Sequence, residues 1–108
     1  MHYDTSKVDT QTTYKLLTAT VTPRPIAWVT TRALDGTLNA APYSFFNAMG
    51  PNPPTLVVGL MRDPTKGLKD TAQNIVDTGE FVVNLVSHAL AEQMNITAVE
   101  APAEIDEL

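Results

Sequence analysis

The pattern of hydrophobic and polar positions predicts a strand-rich first half. Residues 1–13 are polar without a regular period, which predicts an extended or loosely attached lead-in. Pro23 and Pro25 are expected to hold the residues before them extended. Residues 26–32 are rich in β-branched and aromatic side chains and predict a strand. Asp35 and Gly36 form a pair that tight hairpin turns prefer, so we expect residues 38–41 to return as the antiparallel partner.

Prolines and an apolar run divide the middle of the chain. Pro42 is expected to end the second strand, and residues 43–50 are interpreted as a structured connection before three further prolines. Residues 55–61 are apolar almost without alternation, which predicts a strand that is buried at the centre of the core.

Helical periodicity returns after this strand. Apolar residues recur at helical spacing across residues 68–76 and predict an amphipathic helix. Asp63 or Thr65 is a candidate cap at its start, and Gly79 is a candidate cap at its end. Residues 80–86 then predict another strand.

The last part of the chain predicts one more helix and an acidic end. Ser87 is expected to cap a helix that runs to about residue 96. Residues 98–108 contain Pro102 and four acids, which indicates an acidic tail or a linker to a missing C-terminal part, while residues 1–97 form one domain. The short early turns cannot hold crossovers, so a small antiparallel β-barrel with flanking helices is favoured over a parallel sheet.

Composition narrows the classes of function. The 108 residues carry a net charge of −5, concentrated at the acidic end, so no general attraction to nucleic acid or to an anionic membrane is expected. The chain has no cysteine, and His2 and His88 are far apart, so no metal site is predicted. No apolar run could span a bilayer or serve as a signal peptide, which favours the cytoplasm.

Three segments carry candidate chemistry. Residues 62–71 lead into a predicted helix with Lys66 and Lys69 and are suited to bind an anion, although a solvated first turn with ordinary lysines is the more common explanation of such residues. Residues 44–47 place two aromatic rings between hydrogen-bonding side chains and suit a planar heterocycle, although a phenylalanine pair is often plain core.

The third segment lies at the end of the first strand. Thr30 and Thr31 offer hydroxyls there, although threonine is also simply a good strand former. The sequence has no Ser/His/Asp set, no paired-carboxylate cleft and no Walker loop, so it predicts no hydrolase machinery.

Several blocks follow one another in a recognisable order. They are Arg24-Pro25-Ile26-Ala27-Trp28-Val29-Thr30-Thr31, residues 35–47 from Asp-Gly-Thr to Ser-Phe-Phe-Asn, Pro53-Pro54, Lys69-Asp70-Thr71 with Asn74-Ile75, and Gly79-Glu80-Phe81-Val82-Val83-Asn84. Together they resemble the flavin reductase-like, FMN-binding split-barrel family over residues 22–95. The resemblance implies a mainly β, antiparallel split barrel with flanking helices that binds FMN non-covalently, usually as a homodimer.

The resemblance also carries site residues to matching positions. It implies that the following residues bind the cofactor: Thr30, Thr31, Ser44, Phe45, Phe46 and Asn47 beside the flavin, and Lys69, Asp70 and Thr71 near its ribityl phosphate. Arg24 is a further candidate for the phosphate. No catalytic acid or base and no metal ligand is implied, because hydride transfer to a flavin does not demand one.

The implied activity is that of a flavin reductase, in which hydride from NAD(P)H reaches FMN and electrons leave to an acceptor or a partner monooxygenase. The alternative is a non-catalytic FMN-binding electron carrier. Members of the family continue through further strands after the second helix. We therefore expect either a fragment with an incomplete barrel or a half-length version of the fold.

Overall fold

The computed structural model describes residues 2–63, 65 and 67–98. Its elements, in chain order, are α1 (Thr10–Thr20), β1 (Ala27–Arg32), β2 (Leu38–Tyr43), β3 (Phe46–Pro51), β4 (Pro54–Val58), α2 (Asp70–Thr78), β5 (Val82–Asn84), a 3-10 turn (His88–Leu90) and α3 (Ala91–Ile96). Lys66 and residues 99–108 of the predicted acidic tail lie outside the described residues.

The main sheet is antiparallel, with β1 between β2 and β5. Because β1 has a partner on both edges, it is the best protected strand, and Ala27 and Val29 have no exposed surface. The hairpin between β1 and β2 is confirmed: the Ala33 N–H donates to the Thr37 carbonyl at 2.8 Å, and Gly36 has a φ of 93°. This φ lies in the region that glycine adopts without steric cost.

The second sheet pairs β3 with β4, also antiparallel, and it corrects two predictions. Residues 43–50 are not only a connection, because β3 begins at Phe46, and Pro42 lies inside β2 instead of ending it. Proline is tolerated there because β2 lies at the edge of its sheet, where a missing N–H breaks no ladder.

A strand forms in the segment predicted at residues 55–61, as β4, but the prediction that it is buried at the centre of the core is wrong. Leu56 and Val57 of β4 are 51% and 49% exposed, because the only described strand beside β4 is β3. An apolar cleft of about 330 Å³ separates β4 from β1 and α2; it is lined by Val29, Leu56, Val57, Val58, Leu60, Ile75 and Phe81.

The prediction of an extended or loosely attached lead-in over residues 1–13 is wrong from residue 10 onwards, because α1 covers residues 10–20. Asp9 caps the helix by accepting a hydrogen bond from the Thr12 N–H at 2.7 Å. Bonds from the Thr12 side chain and N–H lower the pKa of Asp9. The cap at Asp9 stabilises the first turn of a run that has no apolar period, and threonine hydroxyls donate to carbonyls along the helix, as Thr20 does to Leu16 at 2.6 Å.

Helix α2 forms as predicted and ends at Gly79, whose φ of 75° is that of a C-cap. The predicted caps at its start are wrong. Lys69 occupies the N-cap position, and the Asp63 carboxylate instead accepts bonds from the N–H and hydroxyl of Thr65. Ser87 precedes the 3-10 turn without a side-chain capping bond.

The described part of the chain is thus mainly antiparallel β with flanking helices, as predicted, and its two sheets do not close into a barrel. Helix α2 packs on one side of the hairpin. Trp28 Nε1 donates to Thr97 Oγ1 at 3.1 Å and ties the end of α3 to β1. Within the described residues, no helix could cross a membrane and no group of three potential metal ligands occurs.

Replacing Gly36 with valine should lower the free energy of unfolding by about 1–2 kcal/mol, because a β-branched side chain is strained at this positive φ. Gly50→Val is the matched control: a Cβ there meets nothing within 4 Å, and its φ is not positive. Denaturant unfolding of both variants measures the difference. Equal midpoints for the two would contradict a turn that depends on Gly36.

Candidate functional site

Four buried polar side chains join α2 to the hairpin. Asn39 Nδ2 donates to Thr71 Oγ1 at 2.8 Å, and Asn74 Nδ2 donates to Thr31 Oγ1 at 3.0 Å. The four residues, called the polar cluster below, are between 2% and 8% exposed. Burial of such groups is tolerated only when they are hydrogen-bonded, and these bonds satisfy that requirement across three elements.

The strand register brings the polar cluster together. Thr31 of β1 and Asn39 of β2 are directly opposed, so their side chains lie on the same face of the hairpin. Thr71 and Asn74 are three residues apart in α2 and share the helix face that packs on this hairpin. The structure therefore brings together Thr31 and Thr71, two of the residues predicted to bind the cofactor.

The first turn of α2 retains the features of an anion site. Lys69 at the N-cap has extended backbone, is exposed and makes no side-chain capping bond. The N–H groups at the start of a helix have no partner within the helix, and the helix dipole makes this end positive. Asp70 and Thr71 follow directly, so the three residues predicted to lie near a phosphate form the start of α2.

The connection at residues 44–45 is held from the N-terminal side. Arg24 Nε donates to Ser44 Oγ at 3.4 Å, and the guanidinium carbon lies 5.6 Å from the centre of the Phe45 ring. The Tyr14 ring of α1 lies 5.9 Å from the same ring. Arg24 Nη1 also donates to the carbonyls of Thr18 and Val21, at 3.0 and 2.6 Å, and so binds the end of α1.

The other side of this connection is held by β4 and the residue after it. The Gly59 N–H donates to the Phe45 carbonyl at 2.7 Å, and a Cβ on Gly59 would lie only 3.1 Å from the Phe45 Cβ. Phe46 and Asn47 begin β3, and the Asn47 side chain accepts a bond from the Ala48 N–H at 2.8 Å. Phe45 and Phe46 are half-buried, whereas Asn47 is exposed.

The side chains of Thr30 and Thr31 point to opposite faces of the sheet. Successive residues of a strand point to opposite faces, so Thr30 points away from the polar cluster. Its hydroxyl accepts a bond from Asn84 Nδ2 at 3.2 Å, and the same nitrogen donates to the Trp28 carbonyl at 3.0 Å. A ligand on one face of β1 therefore reaches only one of the two hydroxyls.

The predicted residues form two groups at opposite ends of β2. One group surrounds the start of α2 beside Asn39, and the other is the connection that begins at Ser44. Four strand residues, 40–43, lie between Asn39 and Ser44, and the five steps from one to the other span about 17 Å at roughly 3.3 Å per residue. The arrangement suits an elongated ligand with an anionic group at one end and a flat ring at the other.

Sequence reasoning missed the asparagines. Asn39, Asn74 and Asn84 each donate to a threonine that was predicted to bind the cofactor, yet none of the three was itself predicted as a site residue. The available signal was their position: asparagine is a poor strand and helix former, and all three lie within regular elements. A polar side chain at such a position points to a specific partner.

Comparison with known proteins gives a consistent answer. The family model of the flavin reductase like domain matches residues 19–108. An uncharacterized protein from Aquifex aeolicus is 46% identical over 99% of this chain and 55% of its own length. The uncharacterized protein YwrF from Bacillus subtilis is 44% identical over 98% of this chain and 51% of its own. The chain thus spans about half the length of the curated relatives it matches.

This chain also covers about half the length of the solved structures that it matches. Nitrilotriacetate monooxygenase component B from Bacillus cereus matches with a TM-score of 0.91 and 36% identity over 99% of this chain and 52% of that one. The 2-nitrobenzoate 2-nitroreductase NbaA from Pseudomonas fluorescens matches with a TM-score of 0.81 and 39% identity, covering 96% and 50% of the two chains. A split barrel domain protein from Shewanella frigidimarina shares the fold at 23% identity and a TM-score of 0.75, over 99% and 53%.

Replacing Arg24 with alanine should lower the free energy of unfolding by about 1–3 kcal/mol, because the half-buried guanidinium donates to three oxygens. Arg24→Lys keeps the charge near Phe45 but not the planar set of donors, so it should retain only part of the stability. Chemical denaturation of the two variants beside wild type provides the measurement. A wild-type midpoint for Arg24→Ala would show that these contacts contribute nothing.

Proposed function

The chain belongs to the flavin reductase-like family, and on this premise we propose that it forms part of an FMN-binding oxidoreductase. The proposed reaction passes hydride from NAD(P)H to non-covalently bound FMN and on to an electron acceptor or a partner monooxygenase. The observation that carries the proposal is the start of α2 at Lys69, which has no side-chain cap, together with the aromatic connection at residues 44–47 at the other end of β2.

The chain's own residues fit FMN at both ends. The cofactor joins a dianionic phosphate to a flat, mainly apolar ring through a flexible sugar alcohol. Lys69 and the free N–H groups of Asp70 and Thr71 are suited to the phosphate, because charge-assisted hydrogen bonds are the strong ones. Half-buried Phe45 and Phe46 are suited to the ring, with polar atoms of Ser44 and Asn47 beside them.

The chemistry that FMN supplies when bound is hydride acceptance from a nicotinamide and the onward delivery of electrons. The contribution of this chain is to bind and orient the cofactor. Arg24 and Gly59 hold the connection in place from two sides, which keeps Phe45 and Phe46 in a fixed arrangement. The proposed set also includes Thr30 and Thr31, which point to opposite faces of β1, so that a cofactor on one face meets the hydroxyl of only one of them.

Two relatives support the finer parts of the proposal. The similarity to a monooxygenase component B supports a partner monooxygenase as the electron acceptor. The similarity to a nitroreductase supports a small molecule, reduced directly, as the other candidate electron acceptor. Both proteins are about twice as long as this chain, so we assign these activities to the complete protein.

The proposal includes the assembly and its setting. The family resemblance implies a homodimer. Residues 1–97 form the first part of the split-barrel domain, and residues 98–108 form an acidic tail or linker. Reduced nicotinamides are intracellular, which supports a cytoplasmic location.

An absorbance spectrum tests the cofactor. Purified protein is mixed with excess FMN, freed of unbound flavin and then treated anaerobically with NADH or NADPH. We expect a retained flavin spectrum that bleaches with one of the two nicotinamides. Colour that persists with both would favour the non-catalytic electron carrier, and complete loss of flavin at the first step would contradict the proposal.

Replacing Lys69 with alanine should weaken FMN binding by about 1–3 kcal/mol, because a charge-assisted contact to the phosphate is lost. Lys7→Ala is the control, since Lys7 is an exposed lysine that precedes α1 and lies outside the proposed site. Flavin titrations of both variants give the dissociation constants. Unchanged affinity of Lys69→Ala would remove this residue from the phosphate site.

A further inference from the structure

Two asparagines hold the start of α2 on the hairpin. Asn39 and Asn74 are 8% and 7% exposed. The side-chain N–H of each donates a hydrogen bond to a threonine hydroxyl of another element. A buried amide gains nothing over an apolar side chain of similar size unless its hydrogen bonds are made. The advantage of the buried amide is geometric. A hydrogen bond of 2.8 or 3.0 Å defines one position of α2 relative to the hairpin, whereas apolar packing allows several.

The two bonds define both the position and the rotation of α2. Thr71 is the second residue of the helix, so its bond to Asn39 holds the first turn against β2. Asn74 lies about one turn later, and its bond to Thr31 holds the same helix face against β1. Two fixed points, one turn apart, prevent the helix from rolling on the hairpin.

This placement matters because no side-chain cap sets the start of α2. Lys69 makes no capping hydrogen bond, so the direction of the first N–H groups depends on how the helix is seated. A small rotation about the helix axis would turn these N–H groups away from any anion held beside Lys69. Hydrogen bonds weaken steeply once their angle departs from linearity.

Resting on the proposed function, we propose that Asn39 and Asn74 are positioning residues that aim the first-turn N–H groups of α2 at the FMN phosphate. They act through Thr71 and Thr31 and do not themselves touch the cofactor. The residues that determine the preference for a phosphorylated flavin thus include two side chains buried beneath the site.

The test compares FMN with riboflavin, which is the same molecule without the phosphate. In Asn39→Leu, the affinity for FMN should fall about tenfold, which corresponds to roughly 1.4 kcal/mol, while the affinity for riboflavin stays close to that of wild type. Riboflavin binding by the same sample serves as an internal control for folding, because it requires the intact ring site.

Gln73→Leu is the matched control variant. Gln73 belongs to the same helix and also donates a side-chain hydrogen bond, to Asp77 at 3.0 Å, but on the exposed face. It should keep the wild-type ratio of the two affinities. If Asn39→Leu fails to fold, Asn39→Ser makes the same test, because the shorter side chain stops short of Thr71 and leaves a smaller packing defect.

The outcomes separate the inference from the proposed function. A wild-type protein that prefers FMN, with a preference that is lost in the Asn39 variant and kept in Gln73→Leu, supports both. A folded Asn39 variant that retains the full preference overturns the positioning role and leaves the proposed function standing. A wild-type protein that binds neither flavin overturns the proposed function, and the positioning role with it.

Discussion

The attachment of α2 to the β1–β2 hairpin through the polar cluster is the interaction on which the rest of the structure depends. Thr31 and Asn39 are paired across the hairpin, and Thr71 and Asn74 meet them from the helix. Beside these bonds, Val29 of β1 is completely buried, so the apolar core and the polar cluster share one layer. A helix that was only packed on this sheet could shift, whereas a helix that is also hydrogen-bonded has one position.

The second sheet is less buried than the hairpin and α2. Its strands β3 and β4 pair with each other, and half of the surface of Leu56 and Val57 is exposed beside an apolar cleft. Burial of such side chains is the main favourable contribution to folding, so an open apolar face of this kind indicates a fold that is not complete within the described residues. The coverage of about half of each relative agrees with this picture of an incomplete split barrel.

The two ends of the proposed site are held in place in different ways. The phosphate end belongs to the well-buried hairpin and α2, where the positions of donors are fixed by hydrogen bonds within the sheet and helix. The ring end belongs to the connection at residues 44–47, which is held by individual contacts from Arg24, Tyr14 and Gly59. Strand β2 links the two ends and sets their separation.

The sequence by itself determined the features whose causes are local. The Asp35-Gly36 turn, the start of β1 after Pro25 and the end of α2 at Gly79 follow from backbone preferences of the residues involved, and the structure has all three. The ordered blocks of residues also identified the family. Nothing in the structure or the comparisons tests the nine cofactor-binding residues individually, and they remain predictions.

Only the tertiary structure decided which side chains meet. Helix α1 was missed because its residues have no apolar period and because its Tyr14 ring meets Phe45, a contact between residues far apart in the chain. The run at residues 55–61 was expected to be buried because it is apolar. Apolar character indicates a preference for burial, but burial also requires a neighbouring element that covers the strand.

The asparagines also could not be interpreted from the sequence. Asn39 and Asn74 are ordinary polar residues in the sequence and become determinants of geometry only when the fold brings threonine hydroxyls within hydrogen-bonding distance.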